Sequence, residues 1–432
     1  MKQRLFITAA ILLVCSWIFF LLHIHYPVTP NFDEFHYVPA AKQFLELKPN
    51  QNWEHPPLGK QLMAVGIALF GDQPLGWRFM STWFGALTLV GMYFLGWVLL
   101  QSESAALWIA CLTLFNQVLY VQARIGMLDT FMFGFLVWAL VFFSASWKVG
   151  LSQKKIRLYL GLTGVFLGLS SASKWFGFVP WIAIVCLVLC VKVFQYWKIQ
   201  MQDPSPDDWY REDLWKQVNL WQILVSLVLV PVGIYFLTFL PYLAMKGGVS
   251  NLLDILKLQT RMWEGQQRVV NPHPYMSHWM DWPFLSRPIW YAFDRSGEKN
   301  QWVRGVLLLG NPLIMVSGVF AVAACVWRWI TERSRVAFLI SFFYLSFYGC
   351  WMVIPRKVSF YYYYYPAAMV LSLALGLVFF GRDFRKFSNL QSLRWGFLGA
   401  CLGLFIYFFP LLSALQIPTF SFRKWMWLAS WI

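Results

Sequence analysis

The sequence predicts an all-α polytopic membrane protein, and three observations carry that prediction. The 432 residues are 59% hydrophobic and only 12% charged, whereas a soluble domain is nearer a quarter charged. Aromatic residues make up 20%, with 26 tryptophans, and Trp and Tyr concentrate where helices cross the membrane interface. A window of about 19 residues finds apolar runs of spanning length from one end of the chain to the other.

Eleven such runs are expected, at 5–26, 75–100, 104–121, 128–147, 156–172, 177–195, 219–240, 303–329, 336–354, 360–380 and 394–416. The first is longer than the apolar part of a cleaved signal peptide and ends in His23-Ile24-His25-Tyr26-Pro27, so it reads as a retained helix. No soluble domain of useful size remains. Residues 1–432 form a single transmembrane domain in this reading, and the outer loops 27–74 and 241–302 build its active-site face. Two segments of those loops read as amphipathic helices lying in the interface. One carries Val249, Leu252, Leu253, Leu256 and Trp263 in helical register; the other carries Leu58, Leu62, Val65 and Leu69. The inner stretch 201–216 is mixed in charge and reads as a solvated connector.

Lys and Arg set the orientation. Lys148, Lys154, Lys155, Arg157, Arg328, Arg333, Arg335, Arg382, Arg385, Lys386 and Arg394 fall on one side, which is then cytoplasmic. The N-terminus lies with them, and an odd number of crossings puts the C-terminus outside. The formal net charge of +16 therefore marks topology and anionic lipid. Nucleic acid is not the partner, because the basic residues are scattered between apolar runs and not gathered on a soluble face. The seven cysteines all sit in apolar runs, with no second ligand type completing a metal set.

This orientation collects the chemically suggestive residues on the outer face. Asp33-Glu34 follows the first run directly, and paired carboxylates there can supply a general base or position sugar hydroxyls. Glu54 and His55 precede Pro56-Pro57, which fix a bend and can start a helix ahead of Lys60. Arg124 and Asp129 mark one outer turn, Lys174 another, and Arg356 and Lys357 a third, and Arg is a natural partner for phosphate. Tyr361 to Tyr365 can be an interfacial belt or can line a lipid-phosphate site.

In order along the chain stand Asn31-Phe32-Asp33-Glu34-Phe35-His36-Tyr37, His55-Pro56-Pro57-Leu58-Gly59-Lys60, Arg124 with Asp129, and Ser173-Lys174-Trp175. There follow His273-Pro274-Tyr275-Met276-Ser277-His278-Trp279, Trp282-Pro283, Arg287-Pro288-Ile289, Gly310-Asn311-Pro312, and Phe360 to Tyr365 before Pro366-Ala367. This series resembles the ordered motifs of protein O-mannosyltransferases, and the resemblance covers most of the chain. It implies a GT-C glycosyltransferase fold with its site on the non-cytoplasmic surface. It also implies a polyprenyl- or dolichyl-phosphate-mannose donor, a protein Ser or Thr acceptor and inversion at the sugar. Asp33 matches the family's base, Glu34 its acidic neighbour and Arg124 the residue that meets the donor phosphate. Lys174, Arg356 and Tyr362 are expected beside the donor phosphate and lipid. His55, Lys60, Asp129, His273 and Arg287 are expected to position substrate. The loop before His273 leaves no room for the β-trefoil MIR domain that eukaryotic members insert, so the chain resembles a bacterial form of the inner membrane, its site facing the periplasm.

A lipid phosphate is a competent leaving group, and a monophosphate needs less neutralisation than the diphosphate of nucleotide sugars. No cofactor is expected; a divalent metal held by Asp33, His36 and His55 is the less favoured arrangement. Two other functions fit the composition. A lipid-acceptor enzyme of the aminoarabinose transferase type shares the resemblance's fold. A transporter or flippase would place ionisable groups near the membrane midplane, where this chain has few.

Overall fold

A computed structural model describes residues 2–148, 150–201, 215, 218–245, 249–268, 270–354, 356–381 and 390–432. Most of the connector 201–216 lies outside those residues, as do Arg382, Arg385 and Lys386. The first helix, α1 (Lys2–Leu21), leads into two shorter helices, α2 (Glu34–Glu46) and α3 (Leu58–Phe70). Then come α4 (Pro74–Leu100), α5 (Glu103–Phe115), α6 (Val118–Gln122), α7 (Leu128–Ser146), α8 (Gln153–Ser173) and α9 (Phe178–Met201). A span over Leu220–Ala244 contains α10 (Leu220–Leu224), a π-helical turn and α11 (Val230–Leu237). After it run α12 (Leu252–Gln267), α13 (Pro312–Glu332), α14 (Arg335–Gly349), α15 (Tyr365–Phe380) and α16 (Leu390–Leu412).

Among the described residues ten helices are long and apolar enough to cross a membrane. The eleventh expected crossing is a broken helix. Its two halves, α5 and α6, meet at Asn116-Gln117, where Gln117 takes a left-handed φ of 71°. A break at membrane depth needs partners for its freed backbone groups, and Asn311 supplies them. Its amide donates to the carbonyls of Phe115 (3.0 Å) and Cys401 (2.9 Å), and its backbone N–H donates to that of Asn116 (2.9 Å). Asn116 in turn donates to the Ala368 carbonyl. Helix α8 packs closely on the π-turned span: a Cβ on Gly164 would lie 1.8 Å from the Ser226 carbonyl oxygen, so only glycine permits that approach. Helices α4, α7 and α15 form the most buried part of the bundle.

One sequence expectation is corrected here, and two others gain detail. The run at 303–329 begins as a strand. Strands β1 (Ile289–Ser296), β2 (Trp302–Leu308) and β3 (Ile417–Pro418) form a small antiparallel sheet in the order β1-β2-β3, and the span proper starts at Pro312. The fold is thus helical with a small sheet, and the pairing of Trp302 with Pro418 holds the C-terminal segment to that sheet. The apolar stripes of α3 and α12 face the other way from a soluble helix. Leu252, Leu253, Leu256 and Trp263 are all more than half exposed, as is Leu69, whereas Ile255, Leu258 and Met262, and Met63, Ala64 and Ile67, pack inward. Val249 and Leu58, from the same predicted stripes, pack into the core.

Single cysteines replacing Gln51 and Gly297, in a background without the native cysteines, should react with an impermeant maleimide added to intact cells, and one replacing Lys154 should react only after permeabilisation. Reaction of Gln51 and Gly297 from opposite sides would contradict the sheet and helix arrangement.

Candidate active site

The turn between α1 and α2 is built around a buried ion pair. Glu34 and Arg78 have no exposed surface. Arg78 reaches from α4 and donates twice to Glu34, Nε to Oε1 and Nη2 to Oε2, each at 2.8 Å. Its Nη1 also donates to the carbonyls of Ile24 (3.0 Å) and Pro27 (2.7 Å). Glu34 accepts two backbone N–H groups besides, from Gly126 (2.7 Å) and Asn31 (3.1 Å). Both carboxylate oxygens are fully engaged, so Glu34 has no lone pair left for a substrate proton. The sequence placed Glu34 beside the base, but the structure makes it the post on which the turn is hung. Arg78 was missed, although a signal existed: it is the one charge inside the apolar run 75–100, and an intramembrane charge demands a partner.

Asp33 stands on the other side of that turn. It is half-buried and accepts from the Tyr37 hydroxyl at 3.2 Å. Burial pushes its carboxyl above the ordinary carboxylate range. The charge of Lys174 opposes the rise, that of Asp129 adds to it, and the Tyr37 hydroxyl and His36 oppose it. A carboxylate raised in this way is a stronger base than an exposed one.

Lys174 and Asp129, whose charges act on Asp33, belong to a cavity of about 370 Å³ that Asp33 itself does not line. His55, Asp129, Lys174 and Arg356 line it, with an apolar remainder that includes Phe176, Val179, Trp263, Trp351 and Tyr363. The Lys174 ammonium donates to Asp129 at 2.7 Å and lies over the rings of Tyr362 (4.7 Å) and Tyr363 (5.4 Å). The Arg356 guanidinium lies 5.0 Å from the Tyr363 ring, and the Val358 carbonyl takes its Nε. One wall is a stack of aromatic planes, Phe176 on Trp351 on Tyr363, the last pair 4.6 Å apart and parallel. Trp351 and Tyr363 bring an aromatic surface of the kind that packs against sugar and cation faces alike.

His55 meets Tyr37 edge to face at 5.8 Å and so links the cavity to Asp33. Burial first, then the charges of Lys174, Lys60 and Arg356, holds His55 well below its ordinary value, so it is a neutral imidazole at neutral pH. Lys60 fixes the loop that carries it. Its wholly buried ammonium donates to the carbonyls of Asn52 and His55 and to the Asn52 side chain. Burial pushes this ammonium down to about 7, against the pull of Glu54. Lys60 therefore reaches the site through His55 and has no contact with the cavity.

Besides Asp33, Glu34, Lys60 and Tyr362, three more expected site residues are outside the cavity lining. Arg124, expected at a donor phosphate, is 2% exposed and bonds within the protein, while its Nε has no hydrogen-bond partner among the described residues. Its Nη2 donates to the His23 carbonyl (2.7 Å), its Nη1 to that of Leu412 (3.2 Å), and its cation faces Tyr120. It ties the outer ends of α1 and α16. Arg287 joins the Pro274 and Ser430 carbonyls, another loop-to-terminus tie. His273 accepts from the Tyr275 N–H and packs on Phe32 and Phe360, next to Asp33 and Tyr362 but outside the cavity lining. Among the described residues no three of His, Cys, Asp and Glu converge as a metal site.

Breaking one member of a buried, hydrogen-bonded ion pair costs roughly 3–5 kcal/mol. Glu34→Gln and Arg78→Met should each lower the melting temperature of the detergent-solubilised protein markedly, with activity falling in step. Asp33→Asn should melt like the wild type. A Glu34→Gln protein of normal stability that is nevertheless dead would restore a direct role for Glu34.

Comparisons with known proteins bear on the family and the fold. The family described as dolichyl-phosphate-mannose-protein mannosyltransferase matches residues 73–244, and the C-terminal four-transmembrane region of protein O-mannosyltransferase matches residues 252–431. A polyprenol-phosphate-mannose–protein mannosyltransferase of Mycolicibacterium smegmatis is 25% identical over 469 residues, covering 93% of this chain and 88% of that protein. One of Corynebacterium glutamicum is 26% identical over 475 residues, with the same coverage. The Saccharomyces cerevisiae Pmt1–Pmt2 complex bound to its sugar donor superposes with a TM-score of 0.77 at 15% identity, covering 98% of this chain and 93% of that one. ArnT from Cupriavidus metallidurans bound to undecaprenyl phosphate gives 0.60 at 14% identity, over 90% of this chain and 62% of that one. The two solved structures carry the GT-C fold and the two family matches carry the lineage: this chain belongs to the protein O-mannosyltransferase family.

Proposed function

We propose that this chain transfers mannose from a polyprenyl-phosphate carrier to a Ser or Thr hydroxyl of a protein, with inversion at the sugar. The observation that carries the reading is the cavity in which Lys174 and Arg356 stand together beside the raised carboxyl of Asp33. The two cations hold the donor phosphate and stabilise the charge that grows on it as the sugar leaves. The carrier chain follows the lipid-exposed side of α9, where Ile182 and Cys186 continue the line begun by Val179 in the cavity wall. The acceptor oxygen attacks the anomeric carbon from the opposite face, and its proton passes to Asp33. The bond from that carbon to the phosphate oxygen breaks, and the lipid phosphate departs as an anion without needing a general acid. Neutral His55 and Tyr37 keep the Asp33 side of the cavity ordered while the cationic side takes the phosphate.

The relatives named for polyprenol-phosphate-mannose and protein support both substrates, and the higher structural likeness is to Pmt1–Pmt2, not ArnT. The protein acceptor is therefore preferred to a lipid one. The reading also places the chain in a bacterial inner membrane with the site toward the periplasm, on the Lys and Arg bias, and requires no metal.

Asp33→Asn should reduce transfer by about 10²-fold or more, the scale of a lost general base, with the donor KM nearly unchanged. The wild-type rate should fall as pH drops through the Asp33 pKa, at a pH above the ordinary carboxylate range because burial raises it. That limb should be absent from the residual activity of Asp33→Asn; a limb that persists there while vanishing in His55→Gln would move the proton to His55. Arg356→Gln should raise the donor KM about tenfold, the scale of one charge-assisted hydrogen bond, at unchanged melting temperature. Labelled polyprenyl-phosphate-mannose that marks lipid and never protein would overturn the acceptor assignment.

A further inference from the structure

A second outer cavity, of about 380 Å³, lies on the far flank of α12 from the first. Pro49, Asn50, Trp53, Tyr242, Val249 and Leu258 form its floor and walls, and Arg261, Glu264 and Arg268 form its rim. None of these residues takes part in the sugar-transfer chemistry derived above. We propose that this cavity binds an acidic side chain of the acceptor polypeptide, a few residues from the hydroxyl that receives the sugar. The inference rests on the protein-acceptor reading and names the feature of the acceptor that is recognised.

Helix α12 has three faces, and their division decides what each cavity meets. Ile255, Leu258 and Met262 pack inward. Leu252, Leu256 and Trp263 form an exposed apolar line, the side a helix gives to lipid. Arg261 and Arg268 stand two and five residues from Trp263, which puts them roughly 140–160° round the axis at about 100° per residue. The arginines thus face away from the lipid side, toward water, and an anionic lipid headgroup is not their natural partner.

Neither arginine nor Glu264 forms an ion pair or hydrogen bond among the described residues, although Lys257 on the same face is paired with Asp254. The cavity also contains a polar group that has no partner. The Tyr242 hydroxyl is buried, and Tyr242 itself is 4% exposed, yet that hydroxyl makes no hydrogen bond among the described residues. Leaving a buried hydroxyl unsatisfied costs about 1–3 kcal/mol, a penalty that a ligand oxygen would remove. Two unpaired guanidinium groups, a hydroxyl and the Asn50 amide beside an indole make a site for a carboxylate on a short stretch of extended chain. Glu264 sets a limit on the charge accepted, and repels a second acid placed beside the first.

The two cavities share a wall, which couples the acceptor's grip to its chemistry. Gly265 lets α12 lie against Trp53 and Glu54; a Cβ there would come within 2.8 Å of the Glu54 side chain. The Gln266 amide donates to the Glu54 carbonyl at 3.1 Å. Gln266 and His55 then line the first cavity while Trp53 and Asn50 line the second. A chain held on the outer flank is therefore anchored to the loop that presents His55.

The test uses purified full-length protein, polyprenyl-phosphate-mannose and three threonine peptides that differ only in carrying Asp, Gln or Lys near the threonine. The wild type should show a KM for the Asp peptide about fivefold or more below that for the Lys peptide, with similar kcat. In Arg261→Glu/Arg268→Glu, whose exposed side chains make no internal contact, the order should flatten or reverse, with donor KM and melting temperature kept. Tyr242→Phe should weaken only the Asp peptide. Equal KM values for the three peptides in the wild type, or the same preference surviving in the double variant, would overturn the inference while leaving the mannosyltransferase intact. A double variant with raised donor KM and unchanged peptide KM would reassign the cavity to the lipid carrier and also overturn it. Label in lipid with none in any peptide would instead remove the protein-acceptor reading on which the inference stands.

Discussion

The Glu34–Arg78 pair is the constraint on which the site depends. A charge at the outer end of α4 would be intolerable alone, and so would a carboxylate packed beneath Gly126. Together, with Ile24, Pro27, Asn31 and Gly126 supplying the remaining partners, they satisfy each other and fix the chain between α1 and α2. Asp33 is the residue immediately before Glu34, so its position is inherited from this pair. Adjacent acids in sequence thus divide the work: one is neutralised to hold the geometry, and the other is left with one hydroxyl contact and a raised pKa. The same arrangement sets the two apart, because both oxygens of Glu34 are already held by Arg78 and by the N–H groups of Gly126 and Asn31.

A similar division governs the cations. Arg78 and Arg287 are tied to carbonyls and, for Arg78, a carboxylate, where a guanidinium's several fixed donors suit several fixed acceptors, and Arg124 holds two carbonyls with its Nε unpaired. Lys174 and Arg356 retain room for a ligand: one has a single carboxylate and two ring faces, the other one carbonyl and one ring face. Cations backed by aromatic rings are held in place without being neutralised, so their charge remains available to a phosphate. The Asp129 partner lowers the net charge of the cavity and so favours a singly linked phosphate over a diphosphate.

How much of this was legible in the sequence follows from the solvent each segment meets. Long apolar runs report spanning helices directly, because nothing else is stable in lipid, and the outer clustering of polar residues reports the face that carries the site. His55, Asp129, Lys174 and Arg356, singled out in this way, are the ones the structure brings together around one cavity. The burial of α3 and α12 was not legible, because an apolar stripe at an interface can face protein or lipid, and periodicity alone does not say which. The break at Asn116-Gln117 was hidden within a run that reads as continuous, and the strand at 302–308 within another, since apolar β-branched stretches satisfy the same window. The carbonyl partners of Arg124 were not legible, because an Arg near the membrane edge has the same chemistry whether its acceptors are phosphate oxygens or carbonyls. Only the position of His23 and Leu412 distinguishes the two, and those carbonyls come from the two ends of the chain.

Helix α12 shows how one element can serve three environments at once. Its inward face needs apolar residues for the core, its lipid face needs them for the membrane, and its aqueous face needs charge. At about 3.6 residues per turn, three faces leave one or two positions per turn for each, which is why its sequence, LLDILKLQTRMWEGQQ, carries no single clean period. The glutamines fall at the boundaries, where Gln259 meets Tyr235 and Gln266 meets the Glu54 carbonyl. A helix so placed separates the lipid-linked donor from the aqueous acceptor by its own diameter, about 10 Å. An acceptor held on its outer flank must then cross it as an extended strand of three or four residues to bring a hydroxyl to Asp33. That distance favours loose, unfolded polypeptide over a folded surface, since a rigid loop does not both reach over the helix and settle its charged neighbour against Arg261 and Arg268.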